Sequence, residues 1–99
     1  MSQVDLLTKL EEWYRDQCDG IWEHGSGIHI STLDNPGWTV KINVRGTSSE
    51  SLPFDEVNID NGENDWLRCS MRDGAFWGAG DPSKLPSMLE HFLRYVGRL

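Results

Sequence analysis

Residues 27–45, GIHISTLDNPGWTVKINVR, carry the pattern that decides the fold. Ile28 and Ile30 alternate with His29 and Ser31. Beyond Asp34-Asn35-Pro36-Gly37, Trp38, Val40, Ile42 and Val44 alternate with Thr39, Lys41, Asn43 and Arg45. Successive side chains of a strand point to opposite faces, so this period of two predicts a hairpin with one buried and one solvated face. In the turn, Pro36 presets one backbone dihedral and Gly37 is expected to supply the positive φ of a type II turn.

Downstream, Leu67, Cys69 and Met71 alternate with Arg68, Ser70 and Arg72, Asp73-Gly74 makes a tight turn, and AFWGAG returns. Gly78 and Gly80 predict a weak or distorted end to that strand. Residues 46–65 are irregular, with a short edge strand expected within Leu52–Ile59 despite Pro53. On the N-terminal side, residues 3–18 read as a helix. Val4, Leu7, Leu10, Trp13 and Tyr14, with Cys18 beyond, form its apolar stripe, and Gly20 is the left-handed cap after Asp19. At the other end, Asp81-Pro82 opens a helical region, and Pro86 places regular helix nearer Ser87. Leu85, Met88, Leu89, Phe92 and Val96 supply its apolar face, and Gly97 stops it. The expected architecture is one α+β domain over residues 1–99. It has two layers: an antiparallel sheet of four or five strands, with an N-terminal and a C-terminal helix on its Val40/Ile42 face.

Composition limits what such a domain does. A chain of 99 residues supports one shallow core. Hydrophobic residues are only 37%, but five Trp, three Phe and two Tyr compensate, since each aromatic buries on the order of 150–250 Å2. Two cysteines allow one bridge at most, unlike the dense frameworks of small secreted domains. The N-terminus has no basic segment leading into an apolar run, and no stretch approaches the ~20 apolar residues of a membrane span. These features predict a cytoplasmic protein with reduced thiols. Sixteen acidic against nine basic side chains give a net charge of −7. That balance opposes nucleic-acid binding and suits a basic protein partner.

Catalytic and metal chemistry find little support. In residues 17–27, QCDGIWEHGSG, Cys18 and His24 suggest a thiol and its base. Yet Cys18 falls at a helix C-terminus, whose negative dipole end opposes a thiolate, and Asp19 and Glu23 add to that opposition. Cys18 is therefore read as a small core residue closing the helix stripe. Gly20 is read as the cap, and Gly25 and Gly27 as the hairpin entry. Trp22, Glu23 and His24 remain as secondary candidates for contacting a partner. Cys18, His24, His29 and Cys69 lack the short paired spacing of zinc ligands. A calcium loop with Gly62 at its sixth position would put Val57 first and Arg68 twelfth, where carboxylates are needed. Glu11-Glu12, Asp55-Glu56 and Glu63/Asp65 show no hydrophobic pocket that would raise a pKa. The reading is a binding protein without metal, cofactor or catalytic site.

Two surfaces remain. The predicted solvated sheet face carries His29, Lys41, Arg45, Arg68 and Arg72 with Trp66 nearby, and basic residues interleaved with an aromatic grip single-stranded nucleic acid. Between Arg45 and Arg68 there is no Lys or Arg, but Glu50, Asp55, Glu56, Asp60, Glu63 and Asp65 are present. With Phe54 and Trp66 as aromatic anchors, this acidic stretch is the first candidate for docking a basic protein site.

Several stretches taken together resemble the immunity protein 53 family of bacterial polymorphic-toxin systems. They are EEWYRDQCDGIWEHGSGIHISTLDNPGWTVKINV, DWLRC and FWGAGDPSKLPSMLEHFL. The resemblance runs from about Leu7 to Val96. Its most specific parts are Trp13-Tyr14, Cys18, Trp22-Glu23-His24, Leu33 to Trp38, Asp65-Trp66 and Gly80-Asp81-Pro82. It implies a cytoplasmic antidote that binds and blocks a cognate toxin domain, a nuclease being one class whose basic cleft an acidic protein would suit. It implies no catalytic residue. The alternative function is a small nucleic-acid-binding module that uses the basic sheet face.

Overall fold

The computed structural model describes residues 5–25 and 27–99; Gln3 and Val4, expected in the first helix, lie outside them. Helix α1 spans Leu6–Gln17. Asp5 caps it, its Oδ1 accepting the Thr8 N–H at 3.0 Å and satisfying a donor that the first turn leaves open. Leu10 and Trp13 are buried on α1, whereas Leu7 is 62% exposed, so the apolar stripe is narrower than periodicity predicts. Cys18 corrects the expectation of a core cysteine. It is exposed, and its Sγ donates to the Tyr14 carbonyl at 3.3 Å. The chain turns extended at Cys18, with φ −69° and ψ 118°, so extrapolating the helical face past Gln17 misplaces the side chain.

A 3-10 turn at Trp22–His24 leads into β1 (Ile28–Leu33), β2 (Gly37–Asn43), β3 (Val57–Asp60), β4 (Trp66–Arg72), β5 (Ala75–Gly80) and helix α2 (Leu85–Tyr95). The strands form one antiparallel sheet in the order β1-β2-β5-β4-β3. The last strand in sequence is therefore the central one. Asp73 (φ 54°) and Gly74 (φ 74°) both adopt the left-handed conformation, as the expected tight β4–β5 hairpin turn requires. The β1–β2 turn departs from the expected type II. The Asn35–Pro36 bond is cis, and Gly37, outside the left-handed region, already pairs with Leu33 as the first residue of β2. Glycine is needed there because a Cβ would run into the Gly80 carbonyl oxygen.

Helix α2 lies across β5, β2 and β4, and α1 packs chiefly on α2. Met88, Leu89, Phe92 and Leu93 meet Val40, Ile42, Leu67, Cys69 and Phe76 in one core. Trp13 joins it edge-to-face, 4.8 Å from Phe92 and 5.7 Å from Trp22 between ring centroids. This is the expected two-layer α+β arrangement, with both helices on one side of the sheet.

Gly78 and Gly80 correct a second expectation. They do not distort β5, which is paired regularly on both sides to Gly80. They make room for α2 instead. A Cβ on Gly78 would lie 2.9 Å from Met88 Sδ, and one on Gly80 would lie 2.8 Å from Lys84 Cβ. Helix α2 starts at Leu85, with Pro86 in its first turn, two residues before the expected Ser87. Gly97 (φ 82°) ends it, and Arg98 N–H bonds the Leu93 carbonyl at 2.8 Å.

Candidate functional site

The acidic stretch after β2 is more structured than its composition suggests. Ser49 is buried, and its carbonyl accepts the Tyr95 hydroxyl; Thr47 Oγ1 donates to the Val44 carbonyl at 2.7 Å. Glu50 accepts the Gly46 N–H at 3.0 Å. Phe54 is half-buried, its ring 5.7 Å from both Phe76 and Tyr95. The side chain expected to anchor a partner thus anchors this segment to the core. Residues 57–60 form β3, the outer strand beyond β4, as the short edge strand predicted. Asp60 accepts the Gly62 N–H, and Asp65 accepts from Asn61 and pairs with Lys84 at 2.7 Å. Asp55, Glu56 and Glu63 are exposed and have no hydrogen-bond or ion-pair partner among the described residues. Trp66 is half-buried on the outer sheet face, where Asn35, Asp60, Gly62, Glu63 and Arg68 surround a shallow hollow of about 360 Å3 with it.

The corner at residues 17–27 is built by reciprocal caps. Asp19 Oδ1 accepts the Ile21 and Trp22 N–H groups at 2.9 Å, and Glu23 accepts those of Asp19 and Gly20 at 2.9 and 2.7 Å. The N–H of Trp22 and then that of Ile21 hold the Asp19 carboxyl below its usual range. Glu23 is lowered likewise, by its own N–H first and then by those of Asp19 and Gly20. Glu23 therefore has a local structural role, and Trp22 is a core residue with its Nε1 unpartnered among the described residues. Of this trio only His24 is exposed. Burial pushes the Cys69 thiol up to about 12, which keeps it protonated and inert. Among the described residues, no three His, Cys, Asp or Glu side chains gather as metal ligands.

Asp81, read in the sequence as a helix opener and as part of the family-like Gly80-Asp81-Pro82, is 1% exposed and joins three elements. Its Oδ2 accepts the Trp66 N–H of β4 at 2.8 Å and the Lys84 ammonium at 2.8 Å; its Oδ1 accepts the Ser83 N–H and hydroxyl at 2.8 and 2.6 Å. Lys84, first, and then the Ser83 hydroxyl hold its carboxyl far below the usual range. Asp65 and then Asp81 raise Lys84 in return. This cluster pins the start of α2 to the sheet. It is a fastener, and its charges compensate one another.

On the face of the sheet away from the helices, His29, Ser31, Arg68, Arg72 and Trp77 are exposed among the described residues. A groove of about 480 Å3 crosses this face, lined by residues of β1, β2, β4 and β5. Lys41, Arg68 and Arg72 line it, and no Asp or Glu does among the described residues. Trp77 of central β5 stands in the middle, directly opposite Lys41 on β2 and Ser70 on β4. Lys41 Nζ lies 4.7 Å from the Trp77 ring centroid, and the Arg72 guanidinium carbon 5.7 Å. None of the three cations forms a salt bridge among the described residues. His29 joins the groove as expected; Arg45 lies past the end of β2 and donates to the Asp73 carbonyl. Sequence reasoning missed Trp77. Counting forward from the Asp73-Gly74 turn would have found it, because Phe76 faces the core and its neighbour must then face outward.

A family model described as immunity protein 53 matches residues 7–97. The chain belongs to the immunity protein 53 family. The match extends from α1 through α2, so the immunity protein 53 region includes the five strands, the Asp81 fastener and the open sheet face. No curated protein and no solved structure matches the chain at a significant level. No helix of the described residues is long and apolar enough to cross a membrane.

Proposed function

We propose that this protein is an immunity protein that binds a cognate bacterial toxin domain in the cytoplasm and blocks it by occupancy, without a reaction of its own. The observation that carries this reading is the family match over residues 7–97. Two structural features support it. The carboxylates of Asp19, Glu23 and Asp81 serve as caps and fasteners, and the Cys69 thiol is a buried core group. The net charge of −7 is concentrated in part on the β3 side, where Asp55, Glu56, Asp60 and Glu63 extend toward solvent. Those carboxylates would steer a basic toxin surface, such as a nuclease cleft, and Trp66 lines the same hollow as Asp60 and Glu63.

The test is titration of the purified chain into the toxin domain encoded beside it. A stoichiometric complex and loss of toxin activity are expected; absence of a complex refutes the reading. Replacing Asp55, Glu56, Asp60 and Glu63 together by Lys should slow association at least about tenfold at low salt and flatten its salt dependence. An unchanged association rate would remove the acidic edge from the interface.

A further inference from the structure

The groove on the open sheet face has a charge opposite to that of the whole protein. In a chain of net charge −7 it gathers three cations with no opposing carboxylate, and Trp77 sits between two of them. We infer that Trp77 splints Lys41 and Arg72 into a clamp for carboxylates, and that this face docks an acidic segment of the toxin domain. This inference rests on the immunity reading above and adds a second, oppositely charged half to the interface.

Two observations favour an acidic protein segment over nucleic acid, and a third favours an anion of either kind. First, the cations already lie against the Trp77 ring, and a nucleic acid base needs a bare aromatic face on which to stack. Second, Arg68 lies in both the groove and the hollow that contains Asp60 and Glu63, so a phosphate chain leaving the groove on that side would meet carboxylates. A protein segment with acids over the groove and bases over β3 would match both signs. Third, long cationic side chains lose freedom when they bind, and holding Lys41 and Arg72 against an indole reduces that loss beforehand. The guanidinium of Arg72 also matches a carboxylate with two parallel hydrogen bonds, while Ser70 and Thr39 in the groove offer hydroxyls. An aromatic near the middle of a patch, surrounded by charge, is the usual position of an affinity hot spot.

The experiment is calorimetric titration of the same toxin domain with three variants that leave the core untouched. Lys41→Glu/Arg72→Glu should weaken the complex at least about a hundredfold, and Lys41→Gln/Arg72→Gln about tenfold or more. Trp77→Leu keeps an apolar residue on β5 but removes the ring that orders the cations, and about tenfold weakening is expected. Far-ultraviolet circular dichroism and a cooperative urea transition like those of wild type confirm that each variant is folded. If wild type fails to bind the toxin domain, the immunity reading falls, and this inference falls with it. If wild type binds and all three variants bind equally well, the docking face is wrong while the immunity reading stands. A parallel titration with a 15-nucleotide oligo-dT separates the other occupant. Salt-sensitive binding of oligo-dT that the charge reversal abolishes, with toxin affinity unchanged, would overturn the inference in favour of nucleic acid.

Discussion

If Gly78 is glycine in order to seat Met88, its replacement should cost energy only while Met88 is present. A Cβ at position 78 would lie 2.9 Å from Met88 Sδ, 3.1 Å from Cγ and 3.5 Å from Cβ. Favourable carbon contacts lie at about 3.5–4.0 Å. The thioether must therefore retreat by up to about 1 Å in a core where Met88 has no exposed surface. Overpacking of this size costs about 1–3 kcal/mol, and a retreat of up to about 1 Å by a side chain with no exposed surface puts it at about 2 kcal/mol. Gly→Ala at a compatible backbone position recovers about 0.4–1 kcal/mol through the unfolded chain. The net expectation for Gly78→Ala is a loss of about 1 kcal/mol. Met88→Ala alone should cost about 2–5 kcal/mol. In that background the added methyl enters vacated space, and Gly78→Ala should become neutral or stabilising by about 0.5 kcal/mol. Urea unfolding of the four proteins measures the coupling, expected near 1.5 kcal/mol. That is about a 1 M shift in midpoint, at a typical slope of about 1.5 kcal/mol/M. Additivity within about 0.5 kcal/mol would refute the reasoning. Gly78 would then owe its identity to something other than the helix above it.

Two further outcomes follow from charge and exposure. The Asp81 carboxyl is lowered in the folded state from an ordinary value of 3.8, so its contribution to stability is present above that pH and is lost as pH falls below it. Urea midpoints measured from pH 6 down to pH 2 should drop, and Asp81→Asn should lower the pH 6 midpoint and make the curve flatter; an equally steep curve in the variant would move the acid sensitivity elsewhere. In folded protein at pH 8, iodoacetamide should label Cys18 readily and Cys69 only on unfolding, because burial raises the Cys69 thiol to about 12. Mass spectrometry reads both sites, and equal rates would contradict the burial of Cys69.

What could be read in the sequence was set by periodicity, and what could not was set by contacts across long separations. The two hairpins, the weak β3 strand and both helices follow from alternation or from three- and four-residue spacing, which are local signals. That β5 inserts between β2 and β4 is a pairing choice between distant segments, and no local pattern announces it. The same limit explains the misreading of Gly78 and Gly80. Judged along the strand they look like defects, but across the layers they form the trough that receives Met88 and Lys84. Cys18 failed for a different reason, since the helical period was extended one residue past the point where the backbone leaves the helix. Among the partner candidates, Phe54 and Glu23 looked free because their partners, Phe76 with Tyr95 and the Asp19 and Gly20 amides, are found only in the folded chain.

Among the described residues, two helices lie on one side of a five-stranded sheet and no helix lies on the other. Such a face must remain soluble by itself, which usually means alternating polar side chains. Ser31, Thr39, Ser70 and the cations meet that requirement, but Trp77 does not, since an indole on a solvated central strand leaves apolar surface in water. Its cost is reduced by the cations resting on it, and those cations are kept from neutralisation by the absence of carboxylates in the groove. Solubility alone would be served as well by Thr or Lys at position 77. The combination of an indole, bracketing cations and an acid-free floor is better explained by a partner that covers it than by the needs of the isolated fold.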